Sequence, residues 1–168
     1  MEGHVAPRML ERWHADEFDA GTLPALHEGA GVVGGTARGY GCPGLSALSC
    51  GVALMECARV DCGTSAVLMI HSNIAMLTIA MFGSEAQKAE LLPAMARGEC
   101  VGAWALTEPG AGSDAASQGC VAEKSAAGGG WVVRGEKRWI GNAPDAGVIV
   151  VWARLPKVCR LDGGGQPT

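Results

Sequence analysis

Between Trp104 and Asp114 the chain reads Trp-Ala-Leu-Thr-Glu-Pro-Gly-Ala-Gly-Ser-Asp, an apolar strand-like segment that runs straight into a turn of small residues. Pro109 fixes one dihedral, Gly110 and Gly112 admit conformations closed to other residues, and the absent Cβ atoms let a bulky ligand approach the main chain. Successive N–H groups in such a turn form a concave anion site. With the flat ring of Trp104 and the hydroxyl of Thr107 just upstream, this is equipment for holding a nucleotide cofactor. A second segment, Gly135 to Asn142 (Gly-Glu-Lys-Arg-Trp-Ile-Gly-Asn), supplies another Trp in a predicted strand ending at another Gly.

The elements that must position these segments change character along the chain. Residues 5 to 18 fit a short amphipathic helix, followed by a Gly-rich connection from Gly29 to Gly44. Leu45, Leu48, Val52 and Met55 fall at helical spacing on one face. Thr64 to Phe82 is apolar nearly all round, which suits a helix buried in a bundle or one crossing a bilayer. His71, Ser72, Asn73 and Thr78 interrupt that run, and a span needs about twenty predominantly apolar residues, so burial is the expectation. Gly83 suits a helix C′ position. Ser84 and Gln87 have capping-box spacing, so a further helix starts there, with an interruption expected near Pro93. From Cys100 onward β-formers and glycines take over, and 101–107, 119–124, 130–134, 137–140 and 148–153 read as strands. Helices first and strands afterwards imply an α+β layout with segregated domains, so the Gly-Ala-Gly-Ser loop is not a Rossmann turn.

Thr107, Glu108, Pro109, Gly112, Ser113 and Asp114, then Gly135, Lys137, Trp139 and Ile140, match the Thr-Glu-Pro-x-x-Gly-Ser-Asp and Gly-x-Lys-x-Trp-Ile motifs of one family. The chain resembles the acyl-CoA dehydrogenase and acyl-CoA oxidase flavoproteins. The likeness extends through Gly39-Tyr40-Gly41-Cys42-Pro43-Gly44, Ala58-Arg59-Val60-Asp61 and Gly83-Ser84-Glu85-Ala86-Gln87-Lys88. In its amino-terminal half it looks closest to plant-type short-chain acyl-CoA oxidases and glutaryl-CoA dehydrogenase. The resemblance implies an incomplete helical domain over residues 1–98 and part of an antiparallel β-barrel-like middle domain over 99–154. Residues 155–168 are then a divergent tail, and the family's carboxy-terminal helical domain is missing.

What the resemblance implies about chemistry is specific. Trp104, Leu106, Thr107, Gly112, Ser113, Trp139, Ile140 and Gly141 would contact FAD, and Ser113 would also reach the acyl-CoA substrate. Ser113 has a plainer alternative as a cap beside Asp114, Trp139 one as a filler of a sheet face, and Glu108 is read as structural. No catalytic residue falls within the chain, because the family's glutamate base belongs to the missing domain. The reaction implied for an intact enzyme is α,β-desaturation of an acyl-CoA, as in fatty-acid β-oxidation; a non-catalytic flavin- or protein-binding remnant is the alternative. Many dehydrogenases of the family carry Thr where Gly141 stands, and the bare glycine suggests, as a hypothesis, easier oxygen access and oxidase character. Unchanged peroxide production in a full-length Gly141→Thr protein would refute that idea.

Composition narrows the remaining classes. A formal net charge of −4 gives no electrostatic footprint for nucleic acid or an anionic membrane. Seven cysteines without a Cys-x-x-Cys pair read as buried free thiols, and four scattered histidines offer no metal-ligand spacing. The first twelve residues hold charges and no apolar run, so no secretory signal is expected there. By resemblance the compartment is a peroxisome or mitochondrion, and intact relatives form homo-oligomers.

Overall fold

The computed structural model describes residues 1–19, 21–126 and 128–156, which form two compact units. The first comprises Met1–Trp104 and Gly141–Val150; the second comprises Ala105–Ile140 and the described residues from Val151 onward. The architecture is helices first and short strands afterwards, an α+β arrangement. Beyond Leu155 and Pro156, the tail lies outside the described residues.

In the first unit, a 3₁₀ turn leads into α1 (Met9–Ala15), followed by α2 (Thr22–Ala30) and a two-residue hairpin of β1 (Arg38–Gly39) and β2 (Cys42–Pro43). Ser46 opens α3 (Ala47–Val60), its hydroxyl accepting from the Ser49 amide at 3.0 Å. The Leu48, Val52 and Met55 face turns outward, Leu48 being 78% exposed; burial on α3 comes from Cys50 and Cys57.

Asp61 ends α3 and caps α4 (Cys62–Leu68), accepting the Gly63 and Thr64 amides at 3.2 and 2.9 Å. The helix continues through a π segment, Met69–Met76, into α5 (Leu77–Phe82). Cys62–Phe82 is long and apolar enough to cross a membrane by length and composition alone. Three of its polar residues instead find partners within the protein: Ser72 accepts the Gly34 amide at 3.0 Å, Thr78 donates to the Ile74 carbonyl at 2.7 Å, and His71, 0% exposed, is bonded through both ring nitrogens. A membrane span is therefore unsupported.

Gly83 does not take the left-handed C′ conformation. Its φ of −68° is extended, and glycine is needed because a Cβ would lie 2.6 Å from the Ile79 carbonyl oxygen. The capping box is as expected: Ser84 and Gln87 bond reciprocally at 3.2 and 2.9 Å to start α6 (Glu85–Ala96). This helix runs through Pro93 rather than stopping there. Pro93 removes one helical donor, but buried Leu92, Met95 and Ala96 and an Arg97 amide bond to the Pro93 carbonyl hold the final turn. One apolar cluster gathers Leu23, Leu26, Val33, Cys57, Leu68 and Val101; another gathers Ala75, Met76, Ile79, Leu92, Met95 and Ala96.

Strand β3 (Val101–Ala105) pairs with β6 (Ala146–Val151). In the second unit β4 (Val121–Lys124) and β5 (Trp131–Arg134) form an antiparallel hairpin with Val121 opposite Arg134. Cys50, Cys57 and Cys120 are buried, and burial pushes the Cys50 and Cys57 thiols up. Cys62, by contrast, is exposed at the start of α4, and Cys159 lies outside the described residues.

Candidate functional site

In the second unit the turn predicted from Pro109 and Gly110 is a tight bridge in which Glu108 and Ala111 exchange both backbone hydrogen bonds, at 3.0 and 3.2 Å. Neither Gly110 nor Gly112 adopts a left-handed backbone, contrary to the conformational reason expected for them. A Cβ at either would meet no atom within 4 Å, so the chain's own packing does not demand glycine. Gly112 and Ser113 are exposed, and among the described residues their amides donate to no protein acceptor. Nor does Ser113 serve as a cap. The following 3₁₀ turn, Ala115–Ser117, starts after Asp114, which accepts from Ser117.

Glu108 anchors this loop from beneath. Its side chain is 8% exposed, and its carboxylate accepts from the Gly119 amide at 2.5 Å, the Cys120 amide at 2.9 Å and the Lys137 ammonium at 2.8 Å. The hydrogen bond from Lys137 leads in holding the carboxyl at about 2, with the two amides adding to it. Lys137, 11% exposed, spends its other donors on the Leu106 carbonyl and the Gln118 amide oxygen, both at 2.9 Å. Gln118 in turn donates to the Ala115 carbonyl. All three ammonium hydrogens are thereby used, each on a different part of the loop.

The same contacts join the two sequence motifs. Lys137 reaches Leu106, and the Arg138 amide donates to the Thr107 carbonyl at 2.9 Å. These bonds also overturn the strand expected over residues 137–140. Lys137 turns inward to Glu108, and Trp139 takes a left-handed φ of 59°, which a continuous strand does not permit. For a bulky aromatic such a φ costs about 1–3 kcal/mol, and strain of this kind gathers at functional sites. The ring is 79% exposed, with the Arg138 guanidinium carbon 4.5 Å from its centroid, so Trp139 fills no sheet face. Ile140 is half-buried.

Of the remaining expected residues, Trp104 and Gly141 belong to the first unit. Trp104 is half-buried in β3, and Gly141 is exposed. A Cβ on Gly141 would lie 2.5 Å from the Ile70 terminal methyl, so Ile70 already fills part of the space a side chain would take. Sequence reasoning did not single out Lys137 or Asn142 as site-forming residues. A lysine inside the second motif and an Asn directly after Gly141 were the signals available, but neither residue type announces its partners.

Comparison with known proteins gives a consistent result. The sequence model described as "Acyl-CoA dehydrogenase, N-terminal domain" matches residues 1–99, and that of "Acyl-CoA dehydrogenase, middle domain" matches 103–164. The chain is 37% identical over 163 residues to mitochondrial isovaleryl-CoA dehydrogenase of Bos taurus, covering 92% of this chain and 36% of that protein. Among solved structures it is similar to a glutaryl-CoA dehydrogenase of Mycobacterium smegmatis in complex with FADH2, with a TM-score of 0.84 and 33% identity over 92% of this chain and 39% of the other. It is likewise similar to an acyl-CoA dehydrogenase of Bacillus anthracis complexed with FAD, with a TM-score of 0.81 and 37% identity over 90% of this chain and 26% of the other. The chain thus spans little more than a third, at most, of the lengths of these relatives.

Proposed function

The chain belongs to the acyl-CoA dehydrogenase family, and from that premise we propose that its two motif segments bind FAD in the service of α,β-desaturation of an acyl-CoA thioester. The observation carrying this reading is the union of the motifs around Lys137 and Arg138. It leaves Trp139 exposed at a strained φ, and the loop ahead of it keeps two glycines that its own packing does not require. Those features fit a large planar group with a phosphate-bearing tail. Trp104, Leu106, Thr107, Trp139, Ile140 and Gly141 would face the ring system, and Gly112 and Ser113, with open amides, the pyrophosphate and the acyl-CoA.

When bound, FAD supplies the acceptor for the hydride leaving the β-carbon. The residues of this chain hold and orient; we assign none of them the removal of the α-proton. A catalytic base has to come within hydrogen-bonding reach of the proton it takes, and by family resemblance that carboxylate is a glutamate of a carboxy-terminal helical domain. The same reading divides the chain into a helical domain over 1–98 and a middle domain over 99–154, with a tail over 155–168. It places the intact protein in a mitochondrion, as the bovine relative's name suggests, and gives it a homo-oligomeric form. Gly141 marks the point where oxidase and dehydrogenase behaviour would diverge.

Titration of the chain with FAD tests the proposal. Saturable quenching of flavin fluorescence, weakened by Trp139→Ala, is the expected outcome; flavin emission that stays constant up to excess protein rejects the assignment.

A further inference from the structure

Among the described residues, strand β3 has a strand neighbour on one edge only, β6. Ala105 accepts from the Trp152 amide on that side, and backbone polar groups alternate along a strand, so those of Gly102 point to the opposite edge. No strand is there. Two side chains take its place: His71 Nδ1 accepts the Gly102 amide at 2.9 Å, and Asn142 Nδ2 donates to the Gly102 carbonyl at 3.1 Å. The second hydrogen of the Asn142 amide goes to the Val67 carbonyl at 3.2 Å, at the entrance to the π segment. With both partners carbonyl oxygens, the amide orientation is fixed.

Asn142 is specialised for this in two further ways. Its φ of 65° lies in the left-handed region, which Asn tolerates better than most residues. It also occupies the N-cap position of the Ala143–Asp145 turn, where an Asn side chain ordinarily accepts a backbone amide, yet it makes no cap bond. The amide is committed elsewhere.

We propose that Asn142 is a positioning residue: by bridging Val67 and Gly102 it sets the relative placement of Trp104, two residues along β3, and Gly141, its own neighbour. Both of those would face the flavin, so the proposal rests on the flavin reading for its functional meaning, though not for its geometry. Asn142 itself touches no cofactor in this scheme.

Two variants separate the bridge from the backbone conformation. Asn142→Gly keeps the left-handed φ and deletes both hydrogen bonds; Asn142→Asp keeps the shape and sets a carboxylate against two carbonyl oxygens. Ser46→Ala, which removes the cap of α3, is the control for general loosening. The readouts are the indole N–H resonance of Trp104 in the full chain, assigned with Trp104→Phe, and the visible circular dichroism of bound FAD. Both Asn142 variants are expected to move the Trp104 resonance, alter the flavin dichroism and raise the FAD dissociation constant about tenfold, the scale of roughly one lost hydrogen bond. Ser46→Ala should change none of these. A Trp104 resonance unmoved in both variants, or moved equally by Ser46→Ala, overturns the proposal. If the wild-type chain takes up no FAD, the flavin reading fails by itself, and the resonance still decides whether Asn142 positions β3.

Discussion

Around Glu108 a full negative and a full positive charge are taken out of water to hold a loop, whereas around His71, Gly102 and Asn142 the comparable task of holding a strand falls to neutral groups. The ionic centre reaches further per side chain. Lys137 alone fixes Leu106, Gln118 and Glu108, and Glu108 adds Gly119 and Cys120. Its weakness is dependence on both partners, because a buried charge that loses its counterpart is left without compensation. The neutral centre spreads its bonds over residues distant in sequence, so each loss is smaller but more local. A loop that must present open amides is thus locked by charge, and a strand lacking one neighbour by side chains that imitate it.

Lys137→Met is the change expected to do most damage, since it strands the Glu108 carboxylate while also releasing the Leu106 carbonyl. Thermal melting should show a larger loss than for any other substitution discussed here, and Glu108→Gln combined with Lys137→Met should recover part of it. A double variant no better than the single one would mean that charge is not what makes the ionic centre fragile. Gly102→Ala comes next. Its Cβ would meet the Met95 terminal methyl at 2.6 Å and the Ala75 Cβ at 3.0 Å, in wholly buried surroundings. Overpacking of this kind costs about 1–3 kcal/mol, readable as a lower urea midpoint at constant slope.

Acid separates the two centres without mutation. His71 donates from Nε2 to the Met95 carbonyl and accepts at Nδ1, so it is held neutral, and burial lowers its pKa despite the opposing Met95 bond. The folded protein therefore binds the proton less readily than the unfolded chain. The resulting stability is fully present above the unfolded value of about 6.5 and is lost as pH falls below it toward the folded value. Glu108 behaves alike in sign but in a more acidic window: its contribution is intact above the unfolded carboxylate range and disappears as pH drops through about 2. Stability measured against pH should fall in two stages, with His71→Gln removing the first and Glu108→Gln the second. A single stage that neither variant alters would erase the distinction between the centres.

Much of this was legible beforehand, and for physical reasons. Capping at Ser84 and Gln87 is local chemistry, and so is the long apolar run around Leu68 and Met76; both appear in the sequence as they do in the fold. Glu108 could be set aside as a base on family grounds, and its three donors now supply the structural reason. What the sequence conceals is pairing at a distance. Nothing in His71 announces the Met95 carbonyl or the Gly102 amide, and no residue preference marks the π segment that carries it. The strand predicted through Trp139 failed because β-forming composition outweighed, on paper, the pull of Lys137 toward Glu108. At Gly110 and Gly112 the error was of cause: the residues are where a turn wants them, yet their φ angles do not require glycine.

Gly141 offers the mildest test, and it bears on the neutral centre directly. Placed beside Asn142, it could be glycine because the bridge leaves no room, or because something outside the chain approaches it. Among the described residues, the close contact for an added Cβ is the end of the Ile70 side chain at 2.5 Å, a flexible methyl able to swing aside. Gly141 is exposed and its φ is not left-handed, so Gly141→Ala should cost about 0.5 kcal/mol or less, and Ile70→Val should reduce even that. A melting curve close to wild type, together with weakened FAD uptake, would trace the glycine to the approaching ligand. A loss as large as that of Gly102→Ala would instead make Gly141 part of the bridge's own packing, and its bareness would then say nothing about flavin or oxygen.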